Sequence, residues 1–269
     1  MLFPRTLRRL LRPALFLAAA AFLVVACAGA ADLADIRKAG TLRVLVVDGS
    51  PAFFSVAAAG EPGLDREILE GFARLKGLRL SVVEAPGWAS LVPWLLEGRG
   101  DVLAGGVTET PARSQRIAFT AEVMPTRNVL VTRKPTRVLT SVDELRKEKV
   151  GTVRGSSMAE TLQAAGIPFD GSIPSGGAPD ALRAGRITAT LSGIEDALLY
   201  QRDDASIQIG GFVGPPGSLA FGVRKDAPLL KEALDQYVAN LRRTPTWGRL
   251  VVKYFGDRAP ELLKRARGE

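Results

Sequence analysis

The 269-residue chain is 46% apolar and 24% charged with a net charge of +8, a composition typical of a globular protein with a sizeable core and not of a disordered one. It contains no histidine and one cysteine, which excludes Ser-His-Asp and Cys-His catalysis and an internal disulfide, and leaves zinc without its usual nitrogen ligand. The basic residues are scattered and not clustered with aromatic residues, which argues against nucleic-acid binding.

The first 31 residues have the pattern of a secretory signal peptide. Four arginines without an acidic residue precede the apolar run PALFLAAAAFLVV (13–25), and small residues follow it. The alternative is an uncleaved membrane anchor, because the apolar run reaches about 18 residues when the small residues are counted. We expect cleavage and export to the periplasm, which leaves about +4 on the mature chain because four of the eight excess charges lie in the signal.

Cys27 lies where export processing occurs. The stretch VVAC (24–27) resembles a lipobox, in which Cys27 is lipidated and anchors the protein to a membrane. Ordinary cleavage after AGA (28–30) fits the small residues equally well. Both alternatives stay open, and the mature chain has no other thiol in either case.

Strand and helix patterns alternate through the next segment. TLRVLVV (41–47) predicts a buried strand, LDREILEGFARLKG (64–77) has helical spacing and ends at glycine, and LRLSVVEA (78–85) alternates like a strand. A helix over 88–100 and a strand over 101–107 follow. This alternation predicts βαβ units and a mainly parallel sheet.

A second series repeats the first. It begins with a strand over 127–134, and Ser141 with Glu144 then predicts a capping-box helix over 141–149. Further elements are predicted as strands over 150–155 and 187–193 and as helices over 157–166, 178–186, 227–243 and 246–256, with a short charged tail at the end. GRGDVLAGG (98–106) and GRITATLSG (185–193) are similar segments, one in each series, and indicate two similar lobes.

One arginine follows a predicted strand at the sheet edge where open α/β sheets bind ligands. Thr110 and Pro111 predict a helix start, with a hydroxyl N-cap and proline at the first helical position. Arg113 then lies in the first turn, where a cation costs roughly 0.3–1 kcal/mol. Gly106 and Thr108 lie at the same strand end. Considered by itself, Arg113 can also be explained as a solvated surface charge.

Two serines lie at the matching position of the second series. Ser156 and Ser157 open a helix, and Ser157 with Glu160 fits a capping box, which leaves Ser156 and nearby N–H groups free. Considered by themselves, the two serines can also be explained as caps of the helix. Taken with Arg113, they predict a site in which one carboxylate meets an arginine from one lobe and N–H donors from the other. Phe53, Phe54 and Trp88 lie on strand-end loops and either wall this cleft or belong to the core.

The order of these motifs resembles that of the family 3 solute-binding proteins, the amino-acid-type receptors of bacterial ABC importers, over residues 35–257. The most specific stretch is LVPWLLEGRGDVLAGGVTETPAR (91–113) with its Thr-Pro-x-Arg ending. The resemblance implies an α/β fold of the type II periplasmic-binding-protein class, in which two lobes, each a mainly parallel sheet flanked by helices, meet at a two-strand hinge. Lobe 1 would comprise 35–125 plus 222–269, and lobe 2 would comprise 126–221 with crossovers near 125–130 and 217–223.

The resemblance also implies roles for individual residues. Arg113 would hold the ligand carboxylate, Thr108 and the backbone at Gly106 would add hydrogen bonds, and Trp88 would line the pocket. Ser156 and Ser157 would meet the carboxylate from the second lobe. The full expected ligand-binding set is Arg113, Thr108, Gly106, Ser156, Ser157, Trp88, Phe53 and Glu195.

The chain departs from the family pattern where amino-acid binders hold the ligand ammonium. The usual acid after the second-lobe strand corresponds to Gly193, and the nearest acids are Glu195 and Asp196. Ser50 replaces a frequent aromatic residue and Gly105 a frequent serine. Since a buried ammonium without a counter-charge costs several kcal/mol, the pattern implies a carboxylate ligand more firmly than an α-amino acid, unless Glu195 reaches in.

The sequence therefore predicts a periplasmic binding protein, and no enzyme, that captures a small carboxylate-bearing solute by lobe closure and delivers it to an ABC permease in the inner membrane. We expect a monomer without cofactor, metal or nucleic acid. One alternative is a dehydratase-type enzyme on the same scaffold with Glu195 as general acid. Another is a free-standing periplasmic sensor or accessory protein, since we expect no further catalytic domain after residue 269.

Overall fold

The structure is a computed structural model that describes residues 32–57 and 60–268. The predicted signal peptide, with the candidate lipidation site Cys27, lies outside these residues. Across the described ranges, every helix is too short or too polar to cross a membrane.

Strands and helices alternate along the described chain. The strands are β1 (Thr41–Val46), β2 (Arg79–Glu84), β3 (Val102–Leu103), β4 (Ala118–Phe119), β5 (Met124–Arg133), β6 (Ala189–Gly193), β7 (Ile207–Leu219) and β8 (Gly222–Val223). The helices are α1 (Leu33–Ala39), α2 (Leu64–Leu75), α3 (Trp88–Leu96), α4 (Pro111–Ser114), α5 (Ser157–Ala164), α6 (Ala178–Arg183), α7 (Ile194–Asp203), α8 (Pro228–Arg242), α9 (Pro245–Phe255) and α10 (Ala259–Arg267), with a 3₁₀ helix over Val142–Lys147.

The first lobe is built on a five-stranded sheet of order β2-β1-β3-β8-β4. β1 pairs in parallel with β2 and β3, as βαβ units require, whereas β8 runs antiparallel to both β3 and β4. The predicted elements up to residue 107 are present, although β3 is shorter than expected.

The second lobe is built on a three-stranded sheet of order β6-β5-β7 in which both pairings are antiparallel. The expectation of a mainly parallel sheet is therefore wrong for this lobe. The chain enters the lobe along β5 and leaves it along β7, so these neighbouring strands must run in opposite directions. The predicted strand over 150–155 forms only isolated bridges, of which Val150 to Ala189 and Gly151 to Asp170 are parallel.

The helices that the sequence predicts in the second lobe are present, and one of them differs in helix type. The predicted helix over 141–149 is a 3₁₀ helix. Its capping acid, Glu144, accepts hydrogen bonds from the backbone N–H groups of Thr140 at 2.6 Å and Ser141 at 3.3 Å, as a capping box requires.

The predicted charged tail is a helix, α10. Ala259, Leu263 and Ala266 are buried at the i, i+4, i+7 spacing that forms one apolar helix face. This face packs against β5, β7 and α7 as well as α9. The segment contains a short apolar stripe among many charged residues. Composition does not report the spacing of these few apolar residues, and for this reason it indicates a tail and not a helix.

One buried apolar cluster runs through both lobes. It includes Leu42, Phe72 and Leu230 beside the five-stranded sheet, and Val129 and Ile194 beside the three-stranded sheet. The hinge strands are therefore anchored in a common core, and polar side chains collect in the cleft between the lobes.

Candidate functional site

A cavity of about 680 Å³ lies between the lobes, at the carboxyl ends of β1, β3 and β6. This is where open α/β sheets bind ligands. The cavity is lined by every residue of the expected ligand-binding set: Phe53, Trp88, Gly106, Thr108, Arg113, Ser156, Ser157 and Glu195.

Arg113 is positioned by the short helix α4. The Thr110 hydroxyl caps this helix by accepting a hydrogen bond from the Arg113 N–H at 3.3 Å, and Pro111 occupies the first turn. The Arg113 side chain folds back over the turn, where Nη1 donates to the Thr108 carbonyl at 2.8 Å. Its Nη2 donates to the Gly155 carbonyl of the second lobe at 3.3 Å.

The charge of this arginine is only weakly balanced by protein. Arg113 is 8% exposed, and burial lowers the pKa of its guanidinium. Among the described carboxylates, the one within ion-pair distance is Glu160, whose Oε1 lies 3.9 Å from Arg113 Nε. The Trp88 ring centroid lies 5.8 Å from the guanidinium carbon. The cleft thus holds a buried cation that suits an anionic ligand.

The two serines of α5 have exchanged their expected roles. Ser156 is the N-cap: its Oγ accepts from the Ala159 N–H at 3.2 Å and donates to the Val153 carbonyl at 2.7 Å. The expectation that Ser157 caps and Ser156 stays free is therefore wrong. Ser157 is the first helical residue, and its Oγ donates to Thr108 Oγ1 across the cleft at 3.1 Å.

A buried carboxylate that sequence reasoning missed shapes the glycine turn beside Arg113. Asp65 Oδ2 accepts hydrogen bonds from the N–H groups of Gly105 at 2.8 Å and Gly106 at 2.9 Å. Burial raises the pKa of Asp65 to about 6, although both hydrogen bonds oppose the shift. Both glycines have positive φ, 98° and 74°, which only glycine adopts readily.

This arrangement changes the expectation for Gly106. Its N–H is engaged by Asp65 and is not free for a ligand. A signal for Asp65 did exist: it lies three and four residues before Ile68 and Leu69, on the buried face of α2. A carboxylate at such a position has to meet buried donors.

The aromatic residues have different positions. Trp88 opens α3, and its Nε1 donates to Ser175 Oγ of the second lobe at 3.4 Å. Phe53 is 2% exposed, and its ring lies 4.9 Å from that of Phe255. Phe54 is buried and does not line the cavity. Trp88 is thus a wall of the cleft, Phe53 a floor packed on the core, and Phe54 a core residue.

Glu195 occupies the space beside Gly193. A Cβ added to Gly193 would lie 2.0 Å from Glu195 Oε1, although φ −63° and ψ 148° at Gly193 suit any residue. Glu195 is 3% exposed, and its Oε2 accepts from the Thr126 hydroxyl of the hinge at 2.7 Å. Glu195 thus brings its carboxyl group into the cleft beside Gly193.

Glu195 and its neighbour Asp196 form a pair of acids in the cleft. Burial, followed by the charge of Asp196, raises the pKa of Glu195 to about 8. Burial raises the pKa of Asp196 to about 6, and the hydrogen bond from the Ser50 hydroxyl, 3.3 Å long, opposes the shift. Burial thus favours the protonated form of Glu195, which can both donate and accept a hydrogen bond.

The family assignment follows from a comparison with known sequences. The chain matches the sequence model of the bacterial extracellular solute-binding proteins, family 3, over residues 42–257. A curated relative is the membrane-bound lytic murein transglycosylase F of Stutzerimonas stutzeri, 28% identical over 235 residues that cover 84% of this chain and 48% of that protein. The chain spans half or less of the length of such curated relatives.

Solved structures show the same fold. A variant of the arginine-binding protein of T. maritima is 24% identical, with a TM-score of 0.76 over 83% of this chain and 99% of that one. The ancestral amino acid-binding protein AncCDT-1, a precursor of cyclohexadienyl dehydratase, is 22% identical, with a TM-score of 0.74 over 82% and 98%. The predicted two-lobe type II fold is confirmed. Because the sequence match covers most of the chain, the protein belongs to the bacterial extracellular solute-binding proteins of family 3.

Proposed function

We propose that the cleft binds a small solute through its carboxylate, and that the protein delivers this solute to an ABC permease in the inner membrane. Solute binding is the role of the family, and neighbours of the same fold are amino-acid-binding proteins. The proposed delivery places the mature chain in the periplasm as a monomer, either released from its signal peptide or anchored through Cys27.

The observation that carries the proposal is the burial of Arg113 between the lobes. Its guanidinium donates to two carbonyl oxygens, and among the described residues the carboxylate oxygen that pairs with it lies 3.9 Å away. A guanidinium grips a carboxylate with two parallel charge-assisted bonds, so a ligand carboxylate supplies the close anion that the site lacks. The hydroxyls of Thr108 and Ser157, one from each lobe, lie beside it.

Closure of the lobes is the proposed capture step. Arg113 already contacts the Gly155 carbonyl of the second lobe, and Trp88 contacts Ser175 in the same lobe. A ligand that is bound between these groups interacts with both lobes at once and therefore favours the closed state over the open one.

The test is ligand affinity measured by calorimetry on the mature protein, with the ligand taken from a thermal-shift screen of amino acids, organic acids and small peptides. We expect Arg113→Ala to weaken binding by about 2–5 kcal/mol, a loss of thirtyfold or more. Arg113→Lys retains the charge without the planar guanidinium, so its affinity should lie between those of the parent protein and Arg113→Ala. Arg116→Ala removes an exposed arginine from the same segment and serves as the control. Unchanged affinity in Arg113→Ala would contradict the carboxylate site.

A second candidate function is catalysis in the same cleft. The observation that favours it is the burial of Glu195 in the cleft beside Thr126, which raises the pKa of its carboxyl group as a general acid at neutral pH requires. Mass spectrometry of the bound solute after incubation distinguishes the two functions. Binding alone returns the solute unchanged, whereas catalysis returns a product whose formation stops in Glu195→Gln.

A further inference from the structure

The cavity extends well beyond the carboxylate site. It continues along one side of α7, where its lining residues are Glu195, Asp196, Leu199, Tyr200, Arg202 and Asp203. These positions follow the i, i+1, i+4, i+5, i+7, i+8 spacing of a single helix face. One face of α7 therefore forms a wall along nearly its whole length.

The length of this wall exceeds that of one amino acid. From Glu195 to Asp203 the helix rises by about 12 Å at ~1.5 Å per residue. An extended peptide covers ~3.3–3.6 Å per residue, so about three residues fit along the wall. The cavity volume of about 680 Å³ lies within the roughly 300–1,000 Å³ of pockets that hold drug-sized ligands.

The exposed part of the cavity lining includes a charged mouth formed by both lobes. Lys253 of the first lobe forms an ion pair with Glu61 at 2.7 Å, and Arg202 of the second lobe pairs with Asp203 at 2.8 Å. All four residues line the cavity. Their side chains are 39% to 70% exposed, so they can exchange partners with a polar ligand group at little cost.

The middle of the wall can hydrogen-bond an amide group through Glu195. Glu195 accepts a hydrogen bond from Thr126 through Oε2 at 2.7 Å. Burial and the charge of Asp196 raise the pKa of Glu195, which favours its neutral form. A neutral carboxyl group can donate to a peptide C=O and accept from a peptide N–H.

From these features we infer that the site takes an extended, peptide-like carboxylate of about three residues. Its terminal carboxylate lies on Arg113, an amide lies beside Glu195, and its other end reaches the mouth formed by Glu61, Lys253, Arg202 and Asp203. This inference rests on the proposed function, because it uses the carboxylate site at Arg113.

The test compares free amino acids with di- and tripeptides that share their carboxy-terminal residue, for all twenty residues, by thermal shift and then calorimetry on the mature protein. We expect at least one tripeptide to bind tenfold or more tightly than the matching amino acid. Leu199→Trp fills the middle of the wall and should abolish that gain while leaving amino-acid binding within about twofold.

Two further variants keep the test interpretable. Ser55→Trp narrows the cavity from a first-lobe residue of its lining and replaces Leu199→Trp if that variant fails to fold. Leu229→Trp adds the same side chain at an exposed position of α8 and should leave all affinities unchanged.

The outcomes separate this inference from the proposed function. Arg113-dependent binding in which every amino acid binds as tightly as its tripeptide would overturn the inference alone. The absence of Arg113-dependent binding across the whole set would overturn the proposed function and the inference with it.

Discussion

Substituting Gly193 tests the placement of the cleft acid directly. The backbone at Gly193 has φ −63° and ψ 148°, a conformation in which alanine is unstrained. The obstacle is steric, because the added Cβ would lie 2.0 Å from Glu195 Oε1 and 2.6 Å from Glu195 Cδ. Gly193→Ala therefore has to expel the Glu195 carboxyl group from its position.

The energetic consequence can be worked out from the contacts. Expulsion breaks the 2.7 Å hydrogen bond from Thr126, worth about 0.5–1.5 kcal/mol for a neutral acceptor and up to about 3 kcal/mol for a charged one. With Glu195 replaced by alanine the clash is gone, and Gly193→Ala should then stabilise the fold by about 0.4–1 kcal/mol through the unfolded state. The two substitutions should therefore show a coupling energy of about 1–3 kcal/mol.

The assay is urea unfolding of the parent protein, Gly193→Ala, Glu195→Ala and the double variant at one pH. Tryptophan fluorescence and circular dichroism should give coincident transitions, so that the free energies of unfolding are comparable. Glu195→Ala also removes the carboxyl group without adding a Cβ at position 193, and so controls for loss of the acid. Additive effects within about 0.5 kcal/mol would show that the Glu195 side chain does not fill the space at Gly193.

Three further predictions concern pH, the glycine turn and the lobe contact. The free energy of unfolding should fall as pH rises from about 6 to about 8, because in this range the folded Glu195 retains a proton that the unfolded chain releases. Asp65 and Asp196, whose pKa values are raised to about 6, add a fall of the same sign below pH 6. Glu195→Gln should therefore flatten the slope between about pH 6 and 8 in urea titrations, and an unchanged slope there would contradict the assignment. Asp65→Ala removes the acceptor of two buried N–H groups and should destabilise the fold by about 1–3 kcal/mol or more, seen as a lower Tm, whereas an unchanged Tm would show that these donors find other partners. In Gly176→Ala the new Cβ would lie 2.2 Å from the Gly49 carbonyl oxygen across the cleft, so small-angle scattering should show a larger radius of gyration. The control Gly185→Ala has a similar positive φ and no neighbour within 4 Å, so its radius of gyration should not increase.

Local signals in the sequence predicted much of the fold and part of the site. The N-cap and proline before Arg113 correctly placed it in the first turn of α4, because capping depends on neighbouring residues alone. The strand and helix periodicities of the first lobe are confirmed for the same reason. The family resemblance is also confirmed. It could be recognised from the sequence because its most specific motif lies in one continuous stretch, 91–113.

Features that depend on distant contacts could not be predicted. The role of Asp65 depends on two glycines 40 and 41 residues away, and a carboxylate in a first helical turn has an ordinary explanation as a helix-dipole partner. The choice of Ser156 over Ser157 as N-cap is a one-residue shift within a pattern that fits both. The antiparallel second sheet follows from the path of the chain through the hinge, which no local pattern reports.

The carboxy-terminal helix gives the protein a third connection between its lobes. α10 follows α9 of the first lobe after three residues, one of which is Gly256 with φ 84°, yet it packs on β5, β7 and α7. A change in lobe angle must therefore bend the chain near Gly256 or alter the contacts of α10. If those contacts change with the lobe angle, docking of α10 and binding of solute are thermodynamically coupled. Each then changes the equilibrium constant of the other by the same factor. The packing of α10, whose described residues do not line the cavity, would then adjust the affinity of the cleft from a distance.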